Sequence, residues 1–234
     1  MIKLSIIIPV YHEEKIVIKT LDKIAAKVKT THEIIAVYDL VEDPTVDVIR
    51  KYIREKKNIR LEKNSSGTKR GVINAVKTGI KTAKSEVIVI VMADLSDDIG
   101  KIDSMIRIIE SGYDIVCASR YMRGGKQIGS PFLKGLMSRI AGLSLHFFGL
   151  PTHDPTNAFK MFKKKIFNDI RIESDGGFEY NLEVIVKAYK KGYKIIEIPA
   201  IWKGRNKGKS KFKLFKWLPK YIKWYLYGLM HKPT

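Results

Sequence analysis

Only one cysteine, Cys117, occurs among 234 residues. That excludes an internal disulfide and a thiolate metal cage. Cys117 lies in the apolar run DIVCAS at 114–119, where a buried structural thiol in a reducing compartment is the expectation. His12, His32, His146 and His153 have no paired metal spacing, so a zinc centre is not expected. The opening residues MIKLSIIIP hold too short an apolar stretch for a secretory leader and no small-residue cleavage site, so they read as mature structure. No glycine-rich turn follows that first apolar run; PVYH stands there instead, against a dinucleotide-binding turn. From 201 to 234 there is no Asp or Glu.

What is present is positive charge, unevenly placed. The net formal charge is +20. Lys203, Arg205, Lys207, Lys209, Lys211, Lys213, Lys216, Lys220, Lys223 and Lys232 put half of it in the last 34 residues. Such a patch attracts a polyanion: nucleic acid, anionic lipid or a phosphorylated ligand. A hydrophobic fraction of 45% supplies one sizeable core and a small appendage.

Apolar runs of strand length at 4–8, 33–37, 86–91 and 114–118 alternate with segments at 13–29, 45–57 and 69–84 whose apolar positions recur at helical spacing. Runs apolar on both faces suit a parallel sheet covered by helices, and the βαβα order predicts a doubly wound α/β fold. The second half differs. Residues 132–149 are apolar nearly all round between Pro131 and Pro151, but Lys134 and Arg139 interrupt them. A central Arg costs about 2.5–3.5 kcal/mol in a bilayer. The segment is therefore either an interfacial helix or a buried core helix. Residues 211–227 interleave five lysines with two tryptophans and three tyrosines, which describes an amphipathic helix on an anionic bilayer.

In doubly wound sheets ligands gather at the carboxyl ends of the strands. The residues there are PVYHEE at 9–14, YDLVED at 38–43, MADLS at 92–96 and SRY at 119–121. Carboxylates in those places would repel nucleic acid phosphates, so a nucleic-acid-binding protein is disfavoured despite the charge.

Eight pieces in order, IIIPVYHEE at 6–14, VYDLVEDPT at 37–45, MADLS at 92–96, ASRY at 118–121, DPTNAFK at 154–160, GFEYNLE at 177–183, EIP at 197–199 and RNKGKSK at 205–211, resemble the family-2 glycosyltransferases. Within that family the dolichyl- or polyprenyl-phosphate mannose and glucose synthases are most similar. The resemblance spans Ser5 to about Lys211. It implies a GT-A-like doubly wound, mostly parallel sheet with an amphipathic helical C-terminal region, and a nucleotide-sugar donor.

Carried onto these positions, the resemblance implies the following roles. Pro9, Tyr11, Glu13, Asp39, Ala93, Asp94, Arg205 and Lys211 bind the nucleotide-sugar, with Tyr11 under the base, Glu13 on the ribose and Asp39 on a base N–H. Asp94, aided by Ser96, holds Mg²⁺ or Mn²⁺ at the donor diphosphate. Met92 stands where the family has a first Asp, and Tyr38 departs in the same way at the base. Asp97 and Asp98 are expected to cap the helix that starts near Ile99. Arg120, Ser210, Lys211 and Glu183 bind the acceptor and its phosphate, and Glu179, one turn before Glu183, faces the same side. Asp94, Asp154 and Arg120 form the catalytic group. A hydroxyl acceptor would require Asp154 as a base, whereas a phosphate is already anionic near neutrality, with a second pKa of about 6.

The expectation is a catalytic domain over 1–200, with 131–150 as an apolar, interfacial helix inside it, and a basic acceptor loop and membrane-surface tail over 201–234. Its reaction is sugar transfer, with inversion, from a nucleotide-sugar to a polyprenyl (dolichyl) phosphate. The place is the cytoplasmic face of a membrane, with an anionic membrane surface and a membrane-protein partner as neighbours. The alternatives are transfer to a saccharide hydroxyl and a family member that has lost catalysis.

Overall fold

Strands that are apolar on both faces have to lie inside, and the computed structural model, which describes residues 2–65, 70–204 and 214–230, buries them in the middle of a single large sheet. The elements are β1 (Leu4–Val10), α1 (Val17–Lys27), β2 (His32–Tyr38), α2 (Pro44–Tyr52), β3 (Ile59–Lys63), α3 (Val72–Thr82), β4 (Val87–Ile90), α4 (Ile102–Glu110), β5 (Ile115–Ser119), β6 (Lys126–Ile128), α5 (Phe132–Phe147), β7 (Lys160–Lys163), α6 (Ile166–Asp169), α7 (Tyr180–Lys190), β8 (Ile195–Pro199), β9 (Ile201–Lys203) and α8 (Leu214–Met230). The seven-stranded order is β3-β2-β1-β4-β7-β5-β8, and β6 and β9 form a small second sheet.

Strands β1 to β4 pair in parallel, as do β5 and β8. β7 runs antiparallel to both β4 and β5 and separates them. The chain therefore departs from the simple βαβα pattern after β5. It leaves the sheet through β6 and α5 and returns by β7 in the opposite direction, so the residues between β5 and β7 form a second wall beside the strand ends.

Two core clusters fill the layers. One lies under α1, α2 and α4 around Leu4, Ile6, Ile8, Ile34 and Val116. The other lies under α3 and α7 around Ile7, Ile35, Ile88, Ile115, Cys117 and Trp224. Cys117 is fully buried, and burial pushes its thiol up to about 12, as an inert core residue requires.

α5 and α8 carry the second half. Gly142 lets α5 touch the chain ahead of β7: a Cβ there would lie 2.1 Å from the His153 carbonyl oxygen. α8 packs one face on α7, with Trp224 3% exposed and its Nε1 donating to Ser174 Oγ at 2.9 Å. Only part of the aromatic face expected on a bilayer is thus free, because Trp224 belongs to the core. No helix among the described residues is long and apolar enough to cross a membrane.

Candidate active site

Parallel pairing of β1 with β2 places Val10 beside Tyr38, so the loops that follow them meet at one edge of the sheet. Asp43 joins them. Its Oδ2 accepts from His12 N at 2.9 Å and its Oδ1 from Thr45 N at 2.9 Å, the latter capping α2. Glu13 N donates to Thr45 Oγ1 at 2.8 Å. These bonds outweigh burial and hold the Asp43 carboxyl below its ordinary range. Pro9 lies inside β1 rather than after it. Tyr11 is 46% exposed at the mouth, edge-on to the His12 ring.

Asp39 follows β2. It accepts from Asn64 Nδ2 at 2.7 Å and Gly71 N at 2.9 Å, linking the end of β3 to the start of α3. Beside Gly71 opens a cavity of about 500 Å³, walled by Arg70, Lys77 and the 171–176 segment.

After β4 the chain makes a tight loop. Asp94 Oδ1 accepts from Ser96 N at 3.1 Å, and Leu95 between them has φ +62°. A non-glycine residue in the left-handed region costs about 1–2 kcal/mol and marks a constrained loop. Asp97 is buried and accepts from Met92 N at 2.8 Å. Burial, with the Asp94 charge adding to it, pushes its carboxyl up to about 7. Neither Asp97 nor Asp98 makes the expected cap with its side chain: Asp97 closes the loop, and Asp98 Oδ2 accepts from Ile201 N at 3.2 Å. Ala93 is buried, and its carbonyl accepts from Thr20 Oγ1.

Across the sheet, Arg120 and Asp154, 34 residues apart, form a fork. Arg120 Nε donates to Asp154 Oδ2 at 2.6 Å and Nη2 to Oδ1 at 2.8 Å, and Arg120 N adds a bond to Oδ2 at 3.0 Å. Nη2 also reaches Ser138 on α5 and Thr156. Asp154 is fully buried. Burial works against the Arg120 charge, but the Asp154 carboxylate overrides it and raises the guanidinium above its usual range. Lys134, on the first turn of α5, is lowered by burial and then by the nearby Arg120 charge. A cavity of about 680 Å³ opens here, with Arg120, Arg123, Lys126 and Arg139 among its polar walls and Ile128, Phe132 and Leu136 among its apolar ones.

Glu183 does not belong to this site. It is fully buried, and its oxygens accept from Glu173 N at 2.6 Å and Ser174 N at 2.8 Å and pair with Lys187 at 2.6 Å. Glu179 likewise accepts from Gly176 N and Gly177 N. Both carboxylates shape the 171–177 segment, since a buried carboxylate takes backbone N–H partners nearby before it can serve a ligand. Arg205, Ser210 and Lys211 lie outside the described residues, as does Lys209. The chain reaches them from β9, whose Lys203 N donates to Ser96 O at 3.0 Å.

The residue types at Asp94 suit a hard divalent cation: one carboxylate with the Ser96 hydroxyl two residues on, while Met92 offers only a thioether. Sequence reading missed Lys134 and Ser138 as neighbours of Arg120; the SRY and DPTN motifs were visible, but α5 brings these two to the guanidinium.

The chain thus combines an α/β sheet that carries carboxylates on the loops after β1, β2 and β4 with a cation-lined cavity after β5. The chain belongs to the family described as Glycosyl transferase family 2, whose model matches residues 5–171. Among curated proteins it is 29% identical over 216 residues to a dolichol-phosphate mannosyltransferase of Pyrococcus furiosus, covering 90% of this chain and 59% of that protein. It is 24% identical over 213 residues to glycosyltransferase AglD of Haloferax volcanii, covering 88% of this chain and 34% of that protein. The chain thus spans about a third to three fifths of the length of these two relatives. Among solved structures, glucosyl-3-phosphoglycerate synthase from Mycobacterium tuberculosis, in complex with Mn²⁺, UDP and glucosyl-3-phosphoglycerate, superposes with TM-score 0.72 at 12% identity, over 97% of this chain and 80% of that one. The fold is the same GT-A-like sheet.

Proposed function

We propose that this chain moves a sugar from a nucleotide-sugar to a polyprenyl phosphate at a membrane surface, inverting the anomeric configuration. The observation that carries the reading is the state of Asp154. Its carboxylate is fully buried and both oxygens are engaged by the Arg120 fork. A hydroxyl acceptor needs a base with a lone pair at the reacting oxygen, and this carboxylate is committed elsewhere. A phosphate monoester arrives already anionic. It needs cations, and Arg120 and Lys134 stand close enough for one to depress the other's pKa. An anion between them relieves that repulsion.

In this reading the acceptor phosphate binds at Arg120 and Lys134, with Asp154 orienting the guanidinium. The lipid tail leaves along Phe132 and Leu136. The nucleotide lies over Tyr11, Glu13 and Asp39. Asp94 and Ser96 would hold Mg²⁺ or Mn²⁺, which would offset negative charge on the donor diphosphate. A phosphate oxygen attacks the anomeric carbon, the bond from that carbon to the diphosphate oxygen breaks, and the nucleoside diphosphate leaves with the electron pair on the opposite face. Arg205, Ser210 and Lys211, outside the described residues, are assigned to the donor and acceptor phosphates on the resemblance of the RNKGKSK motif at 205–211. Residues 1–200 serve as the catalytic unit and 201–234 as the acceptor loop and membrane-facing tail.

The resemblance to the Pyrococcus furiosus enzyme, in name a dolichol-phosphate mannosyltransferase, favours the lipid phosphate. The location agrees: Phe132, Ile140 and Phe147 on α5 are 82%, 58% and 84% exposed, an apolar ridge larger than single scattered residues explain. The test offers purified protein a panel of nucleotide-sugars with polyprenyl phosphate, the matching polyprenol, and saccharide acceptors. Product from the phosphate and none from the alcohol is expected. Transfer to a saccharide hydroxyl alone would replace the reading with its alternative.

A further inference from the structure

The loop after β1 and the loop after β2 bring together three groups that nothing in the transfer reaction uses: the imidazole of His12 and the carboxylates of Glu14 and Asp43. Their ligand atoms lie within 4.8 Å of one another. Sequence spacing hides this site, because two ligands come from 12–14 and the third from 43. The parallel register of β1 with β2 and the Asp43 bond to His12 N supply the juxtaposition.

We propose that His12, Glu14 and Asp43 form a binding site for a transition-metal dication of the Zn²⁺ class, separate from the cation implied at Asp94, and that the ion staples the donor loop to the start of α2.

Four observations support it. Glu14 Oε2 is closed to solvent and has no hydrogen-bond partner, and an unsatisfied buried acceptor costs about 1–3 kcal/mol. The Glu14 carboxylate thus has acceptor capacity that a cation can use. The local charge is favourable too: two carboxylates outweigh the roughly half positive charge of the α2 N-terminus. Next, the ligand set is one imidazole nitrogen with two carboxylate oxygens, which suits Zn²⁺, Co²⁺ or Ni²⁺ better than Mg²⁺. Finally, the geometry needs little change. Ligands about 2.1 Å from a tetrahedral ion stand about 3.4 Å apart, and His12 is exposed and Glu14 half-buried, so both side chains have room to close in. Asp43 keeps its bonds to His12 N, Thr45 N and the Thr45 hydroxyl, because a carboxylate offers about four lone-pair sites and one remains.

The consequence reaches the donor side. Tyr11 and Glu13 flank His12, and His12 itself is held at φ +53°. Fixing 12 and 14 to Asp43 fixes both neighbours.

The experiment needs no substrate. Protein freed of metal by chelation is titrated calorimetrically with Zn²⁺, and with Co²⁺ while its visible absorption is recorded, as wild type, His12→Ala, Glu14→Gln and Asp94→Ala. One Zn²⁺ per chain is expected, with affinity lowered at least tenfold in His12→Ala and Glu14→Gln and unchanged in Asp94→Ala. Co²⁺ should give the d–d bands of a nitrogen–oxygen site in the wild type and in Asp94→Ala only. Zn²⁺ should raise the melting temperature of the wild type and not of His12→Ala, which is exposed and expected to fold. Equal affinity in wild type and His12→Ala, or loss of the site in Asp94→Ala alone, overturns the proposal. So does the absence of any binding in the wild type.

Discussion

The loops after β1, β2 and β4 and the wall built from β5, β6 and α5 lie at the same edge of the sheet, yet they differ in sign of charge and in how the charge is held. On the first side Asp39 and Asp43 accept from backbone amides of neighbouring loops, at Gly71 and His12, and Asp94 accepts from Ser96 N of its own loop. Those bonds come from neutral amides and fix where each carboxylate sits. On the second side the charges are cationic, and one of them, Arg120, is pinned by a fully buried carboxylate. Arg123, Lys126 and Arg139 around it are exposed. The comparison teaches two ways of fixing charge: one side holds its carboxylates on backbone amides, while the other orients a single guanidinium, set among looser charges, with a buried carboxylate.

The change that breaks this contrast most severely is Arg120→Ala. It strands the Asp154 carboxylate inside the protein, and removing one partner of a buried pair costs about 3–5 kcal/mol. Urea denaturation should register that loss, and transfer should fall below detection. Asp154→Asn sharpens the same point. The amide can still accept from Arg120, so under the phosphate-acceptor reading the variant should keep measurable transfer at a rate flat above pH 7. Complete loss with both substrates still bound would return Asp154 to the role of base.

Much of this could be read in the sequence, and the limits have physical causes. The runs that became β1, β2, β4 and β5 are apolar on both faces, so periodicity finds them. β3, IRLEK at the sheet edge, is half polar and escaped. β7, KMFK, escaped because it is short and opens on Lys160, fully buried, with its Nζ held by the carbonyls of Pro155 and Asn157; neither charge nor run length predicts such a strand or its antiparallel direction. At the site, Arg120 and Asp154 were both visible as motif residues, but their pairing across 34 positions needed the return of the chain through α5. Glu183 misled for the opposite reason: its helical spacing from Glu179 is real, while the amides it serves, at 173 and 174, come from a segment with no pattern of its own.

Gly142→Ala tests whether the second wall depends on close backbone contact. The added Cβ would meet the His153 carbonyl at 2.1 Å, so α5 has to shift, and overpacking of this kind costs about 1–3 kcal/mol. Because Ser138 and Lys134 ride on α5, the acceptor KM should rise more than nucleotide affinity falls. A calorimetric titration with nucleoside diphosphate beside acceptor kinetics checks the split; equal losses on both sides would mean that the two walls are not independent.

A smaller effect belongs to Lys160. Burial lowers its ammonium to about 8, against about 10.4 for the unfolded chain. Between those values the unfolded state binds more protons, so stability rises with pH there, and below about pH 8 the whole penalty is present. Relative to Lys160→Met, the wild type should gain about 2 kcal/mol between pH 8 and 10, after discounting for relaxation around the buried group. Unfolding curves at the two pH values measure it. A difference that stays constant would place the Lys160 pKa outside that window.

The smallest change in stability is expected at the apolar ridge, where its smallness is the point. Ile140 and Phe147 are exposed on α5, and surface substitutions away from buried contacts usually alter stability by less than about 0.5 kcal/mol. Ile140→Glu and Phe147→Glu should therefore melt like the wild type. If the ridge lies in the headgroup region, the same variants lose apolar contact and add like charge against anionic lipid, and the basic tail then binds alone. Vesicles of neutral and anionic lipid, sedimented with wild type and variants at low and high salt, separate the two contributions. Both variants should bind anionic vesicles at least tenfold more weakly, and what binding remains should vanish in high salt. Undiminished binding by both would assign membrane attachment to the basic tail and leave the α5 ridge for another partner.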